Sequence, residues 1–276
     1  MKKIALLLGA MLACSLTFAA TVDTISIFSN SMHKNIQCVV VTPNSYQHSQ
    51  AHYPVVYLLH GYSGNYGDWV KSTQSMVKSA DEMNVVVVCP DGAFGSWYFD
   101  SPVDTGFKYE THVAKEVPAF IDAHYRTIAR REARAISGLS MGGHGALYVA
   151  IRHSDVFGAA GSMSGGVDFT PFPKNWDIAK RLGSYEANKA LWEQNTVVRA
   201  VDSLKNGTLA IAFECGVDDF FIQVNRNLHS KLMEKKIDHD YTERPGRHNW
   251  NYWGNAVQYQ LLFFRDYFRK QGTAQQ

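Results

Sequence analysis

The sequence predicts an α/β protein built on a mostly parallel, doubly wound sheet with helices on both faces. Short β-branched runs alternate with helix-patterned segments along the chain, and the central runs are apolar at every position, as strands covered on both faces must be. No internal repeat or low-complexity linker interrupts the alternation, so residues 20–276 read as one domain. Residues 24–29 and 36–42 are the opening strands, and residues 54–59 a fully apolar third. Asp68 is placed to cap a helix reaching Met83, and residues 85–89 form a strand of four valines and a cysteine. Residues 110–125 are helical, with a kink expected at Pro118. A strand at 134–137, a helix at 142–152 and a strand at 159–162 follow. Then come a strand at 209–215, a helix at 223–236, a strand at 239–243 and a last helix at 251–269. Ligands of such folds bind beyond the carboxyl ends of the strands, which directs attention to the loops after Leu59, Cys89, Ser137, Cys215 and Glu243.

The amino terminus has its own pattern. Lys2 and Lys3 precede an apolar run from Ile4 to Phe18, which gives way to the small residues Ala19, Ala20 and Thr21. This is the layout of a secretory signal peptide over residues 1–19, and the run is too short for a membrane span. Met11-Leu12-Ala13 before Cys14 also resembles a loose lipobox, which would give a lipid-anchored form. Without Lys2 and Lys3 the chain holds 25 basic against 25 acidic side chains, so no net field draws it to nucleic acid or an anionic membrane. The expected location is secreted or periplasmic. Cys38, Cys89 and Cys215 remain, an odd number within apolar runs, and read as buried hydrophobes. No His-Glu-x-x-His or paired-Cys motif exists, so neither metal nor cofactor is expected.

Gly138-Leu139-Ser140-Met141-Gly142 follows a short strand and opens a helix. In that context the glycines have a purpose: a serine nucleophile on a strained turn needs neighbours without side chains, so that its hydroxyl projects into the cleft. The hydroxyl also needs a base, which in this fold order follows the last strand. His248, in Pro245-Gly246-Arg247-His248-Asn249-Trp250, occupies that place, whereas His229 and His144 fall on helices and His239 stands at the start of the strand, not after it. The carboxylate that orients the base belongs after the strand ending near Cys215, where Gly216-Val217-Asp218-Asp219 offers two candidates that spacing alone does not separate. Oxyanion donors are expected from the Met141 N–H and from the loop His60-Gly61-Tyr62-Ser63-Gly64, through the Tyr62 N–H. His60 itself reads as a buried brace for that loop.

These segments, with Leu58-Leu59-His60-Gly61 and Trp69 downstream, Gly138 to Gly143, Gly216-x-x-Asp219, and Gly246-x-His248 before Trp250, resemble the esterase D family of α/β-hydrolases over nearly all of residues 20–276. That family includes S-formylglutathione hydrolases, feruloyl and acetylxylan esterases, and mycolyltransferases. The resemblance implies an α/β-hydrolase fold and an acyl-enzyme mechanism, and it favours Asp219 over Asp218, because the family's acid is usually third after the loop glycine. The glutathione branch is typically cytosolic, so a signal peptide points instead to secreted feruloyl or acetyl esterases acting on a small ester or an acylated saccharide. An acyltransferase with the same residues, an S-formylglutathione hydrolase-like thioesterase and a binding protein with a disused site are the alternatives. Residues 168–205, with Phe169, Phe172, Trp176 and Trp192, read as a cap insertion. Trp97, Trp176 and Trp250 are the candidates for substrate contact.

Overall fold

The computed structural model describes residues 20–274. The expected signal segment and Cys14 lie outside the described residues. Eight strands form one sheet in the order β1-β2-β4-β3-β5-β6-β7-β8. They are β1 Thr21–Ser29, β2 Lys34–Thr42, β3 Val55–Leu59, β4 Val86–Pro90, β5 Arg134–Gly138, β6 Ala159–Met163, β7 Ala210–Gly216 and β8 Asp240–Arg244. The first two ladders, β1 with β2 and β2 with β4, are antiparallel, and the other five are parallel. The fold class is the one the sequence predicts, with strand ends moved by one to three residues.

The uniformly apolar central strands divide between two cores because alternate side chains leave opposite faces. Val55, Tyr57, Leu59, Val86 and Val88 enter one cluster, while Val56, Leu58, Val87 and Cys89 enter the other. The helices are α1 Ser45–His48, α2 Asp68–Ser72, α3 Gln74–Glu82, α4 Tyr109–Thr111, α5 Val117–His124, α6 Met141–Arg152, α7 Ala179–Leu182, α8 Lys189–Gln194, α9 Val197–Ala200, α10 Ile222–Glu234 and α11 Trp250–Lys270. The first core takes Val117 and Ile121 of α5, Leu147 of α6 and Leu228 of α10; the second takes Met76 of α3 and Val257, Leu261 and Phe264 of α11.

Two predicted helices are corrected. The segment from Asp68 to Met83 is broken at Thr73, which is extended at φ −147° and ψ 95°, and Gly67 rather than Asp68 occupies the first N-cap position. The break has a tertiary cause: Trp69 of α2 must donate its indole N–H to the Leu59 carbonyl at 3.2 Å, while α3 lies against α11 and β2. The Asp68 carboxylate instead accepts the Asn65 N–H at 3.0 Å. The segment expected at 110–125 bends through a π turn, His112–Glu116, placed between α4 and α5. Pro118 lies in the first turn of α5, where its missing N–H and its ring are accommodated by the wider turn before it. Cys38, Cys89 and Cys215 are free thiols, all buried. Among the described residues no helix is long and apolar enough to cross a membrane.

Register determines what meets at the carboxyl edge. Leu59 pairs with Gly138, which sets the loop after β3 beside the turn after β5. Gly216 pairs with Arg244, which sets the loop after β7 beside the loop after β8.

Candidate active site

Only two residues separate β5 from α6, and the second, Ser140, sits at φ 55° and ψ −116°, outside the regions an L-residue ordinarily adopts. Backbone bonds hold it there. The Ser140 N–H donates to the Met163 carbonyl at 3.0 Å, and the Ser140 carbonyl accepts from His144 and Gly166 at 3.0 and 3.2 Å. A Cβ on Gly138 would stand 2.5 Å from the Gly142 carbonyl, and one on Gly142 would strike the carbonyls of Leu59 and His60. The turn closes only with glycine at both places.

His248 reaches this serine from the loop between β8 and α11. Asn249 caps α11 by accepting the Tyr252 N–H at 3.2 Å, so the helix begins directly after the histidine and fixes its backbone. His248 Nε2 lies 2.8 Å from Ser140 Oγ, and Nδ1 lies 2.8 Å from Asp219 Oδ2. The other Asp219 oxygen accepts the Phe221 N–H at 2.8 Å, and the side chain has no exposed surface. In the neutral imidazole, Nδ1–H then donates to the carboxylate and Nε2 keeps a lone pair for the hydroxyl. Phe220, Phe221 and Trp253 enclose the ring, with centroids 4.3, 5.4 and 4.9 Å away. Asp218, the other candidate, is exposed, and α10 begins after Phe221 with no side-chain cap.

The loop after β3 lies against the same turn. A Cβ on Gly61 would be 3.4 Å from Ser140 Cβ. Met141 heads α6, so its N–H has no intrahelical acceptor. Among the described residues neither that N–H nor the Tyr62 N–H has a hydrogen-bond partner. His60 is buried with both ring nitrogens engaged: its Nδ1–H donates to the Gly61 carbonyl at 2.8 Å, Nε2 accepts the Gly92 N–H at 2.7 Å, and its carbonyl accepts the Tyr98 hydroxyl at 3.1 Å. It braces the loop.

The three tryptophans singled out in the sequence take different positions. Trp97 is 1% exposed and is packed among His144, Phe169 and Trp176, which leaves no face open to a ligand. Trp250 is half-buried and packs against Trp69 and Trp253 at the edge of the second core. Trp176 is half-buried and stacks on Phe220, whose ring touches His248. Phe169 and Trp192, between β6 and β7, are fully buried. Sequence reasoning did not single out the rings of Phe94, 59% exposed, and Phe220, 51% exposed, near the loops after β3 and β7. Phe94 meets the Tyr62 ring at 4.9 Å, and the Tyr62 hydroxyl donates to Asp177 at 3.1 Å, which joins the loop after β3 to the segment between β6 and β7. The available signal was an apolar side chain next to Gly95 in a loop at the carboxyl edge. A cavity of about 740 Å³ lies elsewhere, between α11 and the outer strands β7 and β8, and none of Ser140, Asp219 and His248 lines it.

His144, four residues after Ser140, is fully buried, stacked on Tyr148, and its Nε2–H donates to the Asn195 carbonyl at 2.8 Å. Burial pushes the imidazole down from 6.5 to about 4. A lowered folded-state value means that the folded protein takes up this proton less readily than the unfolded chain. The contribution is therefore intact above pH 6.5 and is lost as pH falls towards 4, by about 3 kcal/mol. Unfolding free energies from urea titrations at pH 7 and pH 4 should fall less in His144→Asn than in the parent by that amount; equal falls would refute the assignment.

The family model described as "Putative esterase" matches residues 29–264. The chain is 28% identical over 252 residues to an acetyl esterase of Caldicellulosiruptor saccharolyticus, covering 84% of this chain and 94% of that one. It is 30% identical over 237 residues to an esterase of Mycobacterium tuberculosis, covering 76% of this chain and 51% of the relative. A solved structure of a ferulic acid esterase superposes with a TM-score of 0.78 at 29% identity, over 91% of this chain and all 100% of that one.

Proposed function

Because the chain belongs to this esterase family, as an α/β-hydrolase that acts on carboxylic esters, we propose that Ser140 is its nucleophile, His248 its general base and Asp219 the carboxylate that orients the base. The observation that carries this is the continuous pair of 2.8 Å contacts from Asp219 through His248 to Ser140. Ser140 Oγ attacks the ester carbonyl carbon and its proton passes to His248 Nε2. The tetrahedral oxyanion accepts hydrogen bonds from the Met141 and Tyr62 N–H groups. Collapse breaks the bond to the alcohol, which leaves with the proton from His248. Water, deprotonated by His248, then attacks the acyl-enzyme, releases the carboxylic acid and restores Ser140. Asp219 stabilises the imidazolium in both halves.

Acetyl or feruloyl esters on plant-type polysaccharides are the proposed substrates. Two of the relatives are named acetyl esterase and ferulic acid esterase. Trp176 stacks on Phe220, whose ring touches His248, and Tyr62, in the loop after β3, meets Phe94, which supplies aromatic surface for a phenolic acyl group or a sugar ring. Residues 168–205 serve as a cap, with Trp176 at its edge. With residues 1–19 as a secretory signal, the substrate is met outside the cytoplasm. Hydrolysis of acetyl, butyryl and feruloyl esters, run with and without a sugar acceptor, tests the proposal. Acetyl or feruloyl turnover should exceed butyryl, and Trp176→Ala should lower feruloyl kcat/KM about tenfold, an aromatic contact's worth, with a smaller effect on acetyl. Acyl transfer to the sugar in preference to water would instead identify a transferase.

A further inference from the structure

Asn225 lies on the first turns of α10 and has no exposed surface. Its Nδ2 donates to two carbonyls, Gly165 and Phe221, each at 2.9 Å, while Oδ1 has no partner. Two carbonyls can be met only by the NH₂ group, so the amide has one orientation. A buried amide with an unpaired oxygen costs stability, and an apolar side chain of similar size would fill the space without that cost. What the amide does therefore has to be sought in the two segments its donors join.

One is the acid loop. Phe221, whose carbonyl Asn225 holds, is also the residue whose N–H donates to Asp219 Oδ1. The other is the turn after β6. Asn225 holds the Gly165 carbonyl, and the next residue, Gly166, donates its N–H to the Ser140 carbonyl at 3.2 Å. The same turn contains Ser164 at φ 49°, fixed by its N–H on the Glu214 carbonyl at 2.8 Å. The Asn225 side chain thus ties the head of α10, where the Phe221 carbonyl also accepts the Asn225 backbone N–H at 3.1 Å, to the turn after β6, whose Gly166 holds the Ser140 carbonyl, and His248 must span the interval between Asp219 and Ser140. We propose that Asn225 is a positioning residue that sets the separation of Asp219 and Ser140, and through it the geometry of His248. This rests on the proposed roles of Ser140, His248 and Asp219.

The test is a double-mutant cycle on p-nitrophenyl acetate with Asn225→Leu, Asn225→Ala, Asp219→Asn and each Asn225 variant combined with Asp219→Asn. Circular dichroism and melting curves establish which proteins are folded. Folded Asn225 variants should lose about 100-fold in kcat, the scale of a misplaced catalytic group, with KM within about twofold. In the Asp219→Asn background the same substitutions should cost less than about threefold, because the contact they maintain is already gone. Unchanged kcat in a folded Asn225 variant, or full multiplicative loss in the Asp219→Asn background, overturns the proposal. Full activity of Asp219→Asn alone overturns the underlying triad assignment and this proposal with it, and is read separately. If the Asn225→Leu variant packs poorly, the Asn225→Ala variant and the downfield Nδ1 proton resonance of His248, expected to weaken in both, decide the matter; an unaltered resonance counts against it.

Discussion

Ser140→Ala is expected to lower ester hydrolysis by about 10⁴-fold or more, the scale found when a triad member is removed. The fold should survive. Only one oxygen is removed, and Ala occupies the same strained conformation at no greater cost. His248→Ala should be as damaging, and the double variant scarcely worse than either single one, because the two side chains act on one proton. Active-site titration with a fluorophosphonate should label the parent at Ser140 and leave the Ala variant unlabelled. Turnover retained by Ser140→Ala would sink the mechanism.

Asp219→Asn is the second large effect, and the geometry determines its direction. One Asp219 oxygen must accept the Phe221 N–H, so an asparagine there has to put its own oxygen on that side. The NH₂ group then faces His248 Nδ1 and forces the proton onto Nε2, the atom that should receive the serine proton. A wrong tautomer of this kind costs on the order of 10⁴-fold in turnover. Asp218→Asn is expected to change neither rate nor stability beyond about 0.5 kcal/mol, because that side chain is exposed and caps no helix. Steady-state rates of the two purified variants on one ester decide between the neighbours; a dead Asp218→Asn enzyme would shift the assignment by one residue.

The sequence is most informative where the physical requirement is local. The glycines around Ser140 are demanded by contacts within one turn, and the continuous apolar runs of β3 and β4 follow from burial on both faces. Candidates became ambiguous where the backbone path decides. Whether Asp218 or Asp219 turns inward depends on the chain direction after Gly216, which passes too close to the Gly246 carbonyl for a side chain. Trp97 and Tyr98 both adopt positive φ, at 55° and 59°, a conformation their residue types do not favour, and this takes Trp97 into the core instead of the cleft. The break at Thr73 was equally illegible, since it answers to the docking of Trp69 on Leu59 and not to helix propensity.

The proposed nucleophile and its proposed base stand on parts of the sheet with very different protection. Ser140 follows β5, which has a strand on each side, whereas His248 follows β8, which is paired only with β7. Releasing β8 breaks one ladder and exposes little apolar surface, while releasing β5 would break two ladders and open both cores. Gentle heating is therefore expected to abolish turnover below the melting transition seen by circular dichroism, with full return on cooling as one strand re-zips onto β7; turnover and ellipticity lost together would count against it.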